Sequence, residues 1–239
     1  MRNELCRHRN PQPQARFLYG WQQGQVWAEV ALCGVCGRKG RGCWQMTVAV
    51  LFARADSVYK TLPECDVWDI DRDARKWAGG SPVVAHPPCR SWGGLSHMAK
   101  PRPDEKDLAR YSVAMVRRWG GVLEHPKKSK LWPDQGLPAP GERDAYGGWT
   151  MPIFQQWWGH RAEKATLLYV VGCEPKNIPD MPMVLGPATH TVASSKAWQS
   201  RDHPQFRPEV TKPEREKTPP ALAQWLVDLA SRCTRKATA

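Results

Sequence analysis

Phenylalanine and tyrosine are scarce in this chain of 239 residues, four and five copies respectively, while tryptophan occurs thirteen times. A phenylalanine-built core is thereby excluded, and the tryptophans either fill that role or offer flat faces for bases to stack on. Several stand beside Gly or Arg, as in Trp92-Gly-Gly, Arg118-Trp119-Gly, Gly148-Trp149 and Trp157-Trp158-Gly159. Long apolar runs are also lacking. None approaches a membrane span, and the opening Met-Arg-Asn-Glu-Leu-Cys has no apolar signal-peptide core, so a cytoplasmic protein without a membrane partner is expected. Acids are the minority charge. With 23 Asp and Glu against 35 Lys and Arg, the formal net charge is +12. That balance suits either a polyanionic partner, DNA foremost, or simply a soluble basic surface. No internal repeat is present.

The eight cysteines of a cytoplasmic chain read as thiols, zinc ligands or a nucleophile rather than as a disulfide framework. Residues 1 to 45 carry Cys6-Arg-His8, then Cys33-Gly-Val-Cys36 and Cys43 among Gly and Arg. Tetrahedral zinc needs four soft or imidazole ligands brought together by tight turns, and Cys6, His8, Cys33 and Cys36 form such a set, with Cys43 as a substitute for His8. The other readings are a disordered basic leader and an extension ahead of a start at Met46.

From Met46 onward the pattern is that of an α/β domain with a mostly parallel sheet flanked by helices. Thr47 to Phe52 and Cys65 to Asp71 read as strands joined by a short helical or turn segment, and Pro82 to Ala85 as a third. The third runs into His86-Pro87-Pro88-Cys89-Arg90. Prolines fix their own backbone and restrict the residue before them, so Cys89 leaves the sheet on a rigid turn. It is either a nucleophile or a buried structural thiol. Asp104 is a predicted N-cap for a helix with Leu108, Tyr111, Met115 and Trp119 on one face, ending at Gly120-Gly121. Gly121-Val-Leu-Glu124-His-Pro126 is a further strand that ends in a carboxylate beside proline. Glu124 thus falls at the edge that carries Cys89, where α/β sheets bind ligands, or else pairs with Lys127 as a plain strand-end acid. Residues 127 to 150 read as a loop tract, Leu167 to Val171 as a strand, and 173 to 217 as an irregular basic segment. Thr218-Pro219-Pro220 opens a terminal helix to residue 232, with Thr218 as cap, Pro219 at its first position and Leu222, Trp225, Leu226 and Leu229 as its apolar face.

Pro-Pro-Cys89 after the third strand, Glu124-His-Pro at a strand end, and Phe154-Gln-Gln-Trp-Trp-Gly…Lys164-Ala-Thr166 before another strand come in an order that resembles the compact, phage-type DNA cytosine-5 methyltransferases. The resemblance covers most of residues 46 to 172. It implies a reduced Rossmann-like methyltransferase core in a bacterial or phage-infected cell, with Cys89 as nucleophile, Glu124 as base-orienting acid and Lys164 as a basic group of the site. It further implies S-adenosylmethionine as methyl donor, with Phe52, Asp71 and Pro87 at its site and Asp71 on the ribose hydroxyls.

One departure concerns the turn after the first strand. Phe52-Ala53-Arg54-Ala55-Asp56-Ser57 stands where the family has a glycine-rich turn, so Arg54 and Asp56 are expected to crowd or recharge the donor's space. Arg90 and His86 are the groups expected to favour a Cys89 thiolate. Arg90, Lys127, Lys128 and Lys130 are candidate DNA contacts, the lysines alternatively a solvated loop. Two other functions share this scaffold: a catalytically silent DNA-binding protein, and a pyrimidine-modifying enzyme that uses a different donor.

Overall fold

Six apolar runs become six strands of one sheet. The computed structural model describes residues 21–22, 25–26, 47–94, 96–193 and 200–233. The chain divides into two units, Met1–Met46 and Thr47–Ala239. In the first, the described residues are Trp21–Gln22 and Gln25–Val26, paired antiparallel. The proposed zinc ligands Cys6, His8, Cys33 and Cys36, with Cys43, lie outside the described residues.

The second unit holds strands β1 (Val48–Leu51), β2 (Cys65–Trp68), β3 (Val83–Ala85), β4 (Gly121–Pro126), β5 (Trp149–Phe154) and β6 (Ala165–Val171). Their order across the sheet is β2-β1-β3-β4-β6-β5. The β1/β2, β1/β3 and β3/β4 pairs are parallel, whereas β6 runs antiparallel to both β4 and β5. With three of the five pairings parallel, the sheet is mostly parallel as expected, and the antiparallel pairings are confined to the β4-β6-β5 side. The β2-β1-β3-β4 half has the order of a doubly wound sheet without its outermost unit, since only a 3₁₀ turn at Ala74–Lys76 links β2 to β3.

Residues of β1, β3, β4 and β6 alternate between two buried clusters, because successive side chains of a strand point to opposite faces. Val48, Val50, Val84, Val122 and Leu168 meet Leu222, Leu226 and Leu229 on one side. Ala49, Leu51, Val83, Leu123 and Tyr169 meet Ala109, Val113 and Val116 on the other. The two helices that cover these faces are α1 (Glu105–Trp119) and, after the short α2 (Leu131–Asp134) and α3 (Lys212–Glu216), α4 (Pro220–Ser231). Burying both faces is what allows near-continuous apolar strands.

Several local expectations shift. The buried stripe of α1 is Leu108, Ala109, Ser112, Val113 and Val116, while Tyr111, Met115 and Trp119 pack half-buried along its flank. Asp104 caps that helix by position but makes no side-chain cap hydrogen bond. The tract 127–150 contains α2 and the start of β5. The terminal helix begins one residue later than expected, with Pro219 at the cap and Pro220 inside, and its predicted face is fully buried. At the start of β4, Gly121 has φ 124° and a Cβ there would lie 2.0 Å from the Val83 carbonyl oxygen, so only glycine lets β4 close on β3. No helix among the described residues is long and apolar enough to cross a membrane.

Candidate active site

Strands β1 to β4 are parallel, so the segments that leave their carboxyl ends gather along one edge. The chain progression reverses there, because β1 sits between β2 and β3, and such a reversal opens a crevice outside the strand ends. A cleft of about 310 Å³ occupies this position, lined by Phe52 and Ala53 after β1, Asp69 and Ile70 after β2, Asp73 to Arg75, Pro88 and Arg90 after β3, and Arg102, Asp104 and Leu108 near the start of α1. Its volume is at the lower end of the range for small-molecule pockets.

Among the described residues, three that are not glycine have positive φ, namely Phe52 (62°), Asp73 (54°) and Lys164 (41°). Each such residue costs about 1–3 kcal/mol, and strain of this kind collects at functional sites. Phe52 and Asp73 line the cleft, and Lys164 stands just before β6. Phe52 itself takes the left-handed turn for which a glycine was expected. Arg54 does not crowd the cleft: its guanidinium pairs with Asp56 at 2.9 Å and with Glu216 of α3 at 2.8 Å, and neither Arg54 nor Asp56 is among the lining residues.

The acid at the end of β2 that belongs to the cleft is Asp69, which is buried. Its Oδ1 accepts the backbone N–H groups of Asp71 and Arg72 at 3.0 and 3.1 Å, and its Oδ2 pairs with Lys60 at 2.5 Å. Asp71, the sequence-based choice, is exposed and outside the cleft. The turn that Asp69 organises carries it away. Pro87 is likewise buried behind the loop, and Pro88 is the proline that lines the cleft.

Beside the cleft, Cys89, Glu124 and Lys164 form an interacting set. Glu124 is half-buried with both carboxylate oxygens engaged. Oε2 lies 3.1 Å from His86 Nδ1, and Oε1 accepts from Gln155 Nε2 at 3.0 Å. Gln155 is fully buried and also donates to Thr166 Oγ1 at 3.1 Å, whose hydroxyl donates to the Lys164 carbonyl at 3.0 Å. Burial by itself would raise the Glu124 carboxyl, but the hydrogen bond and charge of His86, then Lys164 and His125, outweigh it and bring the pKa down to about 2. Glu124 is therefore a carboxylate in the free protein.

Cys89 is an exposed residue at the end of its loop. The protein crowded around that loop, and then the Glu124 carboxylate, push its pKa up, while Lys164 pulls it down. Burial also lowers the Lys164 ammonium pKa, with the charges of Glu124, Cys89 and Glu216 opposing that shift. Lys164 Nζ donates to the Lys217 carbonyl at 3.0 Å, so the segment ending α3 reaches this edge.

The expected thiolate helpers are committed elsewhere. Arg90 Nε donates to the buried Glu105 carboxylate at 2.6 Å, and the other Glu105 oxygen accepts the Arg102 N–H at 2.7 Å, so Arg90 clamps the cysteine loop to the start of α1. His86 serves Glu124. Lys127, Lys128 and Lys130 are exposed on the turn that leaves β4 at the same edge. Glu124 does not pair with Lys127; its partners are His86 and Gln155. His125 is fully buried against Ser129 Oγ at 2.7 Å, and burial lowers its pKa to about 4, so it is neutral.

His86 as the partner of Glu124, Gln155, Asp69 and Glu105 were not singled out from sequence as site residues. Asp69 was accessible, being the first acid after the apolar run of β2. Gln155 lies in the Phe-Gln-Gln tract but nothing local distinguishes it from Gln156. Among the described residues no group of three or more His, Cys, Asp or Glu could hold a metal ion. No family model, no curated protein and no solved structure matches the chain. What stands is a mixed α/β fold whose sheet edge carries a cleft and, beside it, a thiol, a carboxylate and an ammonium that influence one another's charge.

Proposed function

We propose that the protein is a DNA-modifying enzyme of the cytosine-5 methyltransferase type. The observation that carries this reading is the convergence of Cys89, Glu124 and Lys164 at one sheet edge, beside a cleft that ends on Pro88 and Arg90 of the same loop. A base would lie against the thiol and carboxylate, and a donor in the cleft.

The donor proposed is S-adenosylmethionine, which when bound supplies an electrophilic methyl group. The cleft residues fit such a molecule. Phe52 provides the left-handed turn without a side chain at Arg54 intruding, Ile70 and Leu108 offer apolar surface, and Arg75, Arg102, Asp73 and Asp104 offer both charges to a zwitterion.

Cytosine C5 is a poor nucleophile until a thiolate adds at C6. The Cys89 sulfur pair forms the S–C6 bond, the C5=C6 pair moves toward C5, and the charge reaching N3 is met by a proton from Glu124. Once C5 carries the methyl group, a base removes the C5 proton, the C5=C6 bond reforms, the Cys89 thiolate leaves and N3 gives its proton back to Glu124. The pocket couples the first two events. The Glu124 carboxylate is one cause of the raised Cys89 pKa, so a proton on Glu124 lifts that opposition and leaves Lys164 to favour the thiolate. A stacked base hides C5 and C6, so the cytosine must leave the duplex stack. The exposed lysines after β4 suit the phosphates beside it.

The test uses DNA that contains 5-fluorocytosine, which has no removable C5 proton, with S-adenosylmethionine present. A covalent protein–DNA adduct on a denaturing gel is expected from the native protein and none from Cys89→Ala. An adduct in both, or in neither, sinks the assignment.

A further inference from the structure

His86 is the least explained polar group of the pocket. It sits at the end of β3 on the strand side of Pro87, mostly buried, with both ring nitrogens engaged. Nδ1 meets Glu124 Oε2 at 3.1 Å, and Nε2 meets the Tyr59 hydroxyl at 2.8 Å. Tyr59 comes from the 3₁₀ turn Val58–Thr61 after β1, is almost fully buried, and stacks obliquely on the imidazole with ring centroids 5.3 Å apart. Three groups from three separate segments thus form a line: phenol, imidazole, carboxylate.

The chemistry needs something that this line can supply. Glu124 must offer a proton to a pyrimidine ring nitrogen, yet its surroundings keep it ionised in the free protein. A carboxylate acceptor cannot donate until it is loaded. We infer that His86, backed by Tyr59, is the positioning residue that loads a proton onto Glu124 when a pyrimidine base enters the pocket, and that it thereby triggers the Cys89 thiolate. This inference rests on the proposed function.

The balance is simple. The Nδ1 proton of an imidazolium His86 passes to Glu124 Oε2, leaving neutral imidazole and a neutral carboxylic acid, and Nε2–H stays hydrogen-bonded to the Tyr59 oxygen. When the base has accepted the proton from Glu124, His86 can be reprotonated from solvent. The Tyr59 hydroxyl can turn to accept from Nε2–H or to donate to bare Nε2, so it accommodates both states of the ring. Burial and the Glu124 charge keep the phenol itself protonated. The other groups that bear on the pair are Lys164 from the start of β6, His125 beside Glu124, Cys89 and Glu216 through their charges on Lys164, and Cys65 on Tyr59. Gln155 holds the second carboxylate oxygen and cannot titrate, so the proton is directed to Oε2.

The decisive substitution is His86→Gln, whose amide can donate to Glu124 as the imidazole does but cannot carry an extra proton. Two readouts are taken on the full chain. The first is the pH dependence of tritium release from cytosine C5 in DNA without any methyl donor, which reports reversible thiolate addition alone. The native rate should fall toward alkaline pH, where no proton remains to be passed to Glu124. His86→Gln should lower the rate about 10²-fold, within the range for acid–base catalysis, and remove that alkaline limb. Tyr59→Phe should keep the limb but displace it. The second readout is the carboxyl ¹³C signal of Glu124, identified by its loss in Glu124→Gln. Its midpoint should rise in His86→Gln. A His86→Gln variant with the native rate and alkaline limb, or with an unmoved Glu124 midpoint, overturns the inference. No release by the native protein would instead defeat the proposed function, and the carboxyl titration then decides alone whether His86 governs the charge of Glu124.

Discussion

Replacing Glu105 with alanine tests whether the cysteine loop is held by one buried carboxylate. Glu105 is completely buried, while the Arg90 side chain it pairs with is 56% exposed. Two charge-assisted hydrogen bonds disappear, one from Arg90 Nε at 2.6 Å and one from the Arg102 N–H at 2.7 Å. Bonds of this kind contribute about 1.5–3 kcal/mol each, but Arg90 can return to water and the desolvation of the carboxylate is relieved. The net expected loss is therefore nearer one such bond than two, about 3 kcal/mol. With a urea m-value of about 2 kcal/mol/M, the unfolding midpoint should fall by about 1.5 M. The same change frees Arg90, the neighbour of Cys89, so the rate of the 5-fluorocytosine adduct should drop in folded Glu105→Ala. Arg90→Ala leaves the carboxylate buried without its ion partner and should cost at least as much. The double substitution should be less destabilising than the sum of the two. A loss under about 1 kcal/mol with an unchanged adduct rate would mean the loop is held by its prolines and Trp92, and the clamp argument fails.

Two further expectations concern charge. Changing Lys127, Lys128 and Lys130 together to alanine should weaken DNA binding uniformly across sequences and lower the slope of log K against log salt by about 2–3; an unchanged slope in a fluorescence anisotropy titration would place the phosphate contacts elsewhere. Neutral, buried His125 takes up a proton in the unfolded chain below about 6.5 but in the folded chain only near 4. Stability should therefore fall between those values by about 3 kcal/mol, in a window above the one in which Glu124 is lost, which runs from about 4.5 down to about 2. Denaturant melts of His125→Asn at pH 4.5 and 7 should show the upper window flattened.

Much of the framework was legible because strand and helix periodicity are local. The strand ends at Cys89 and Glu124 could be placed from apolar runs that stop at proline, and the terminal helix from its Leu-Trp-Leu spacing. What the chain does with polar groups was less accessible. Arg90 and His86 stand next to Cys89 in sequence, yet their partners Glu105 and Glu124 come from other segments, so neighbourhood along the chain misassigned them. Asp71 was preferred over Asp69 because strand length was overestimated, and the tight turn built on the Asp69 carboxylate reversed the choice. The glycine-poor turn misled for a different reason. Sequence registers the absence of a residue that tolerates positive φ, but not a phenylalanine held there by tertiary packing against Tyr111. The reversal of β6 was invisible, since burial patterning carries no strand direction.

The α3 segment has a consequence for the order in which the protein becomes whole. Glu216 holds Arg54, Lys217 reaches Asp56 and its carbonyl holds Lys164, so two parts of the sheet edge, the turn after β1 and the residue before β6, are fastened by residues that follow all six strands in the chain. A nascent chain that has already emerged past β6 has its thiol and carboxylate but an unfastened ammonium and an unfastened turn after β1. The edge is thus completed only once the chain has emerged past α3, well after the strands that carry the thiol and the carboxylate.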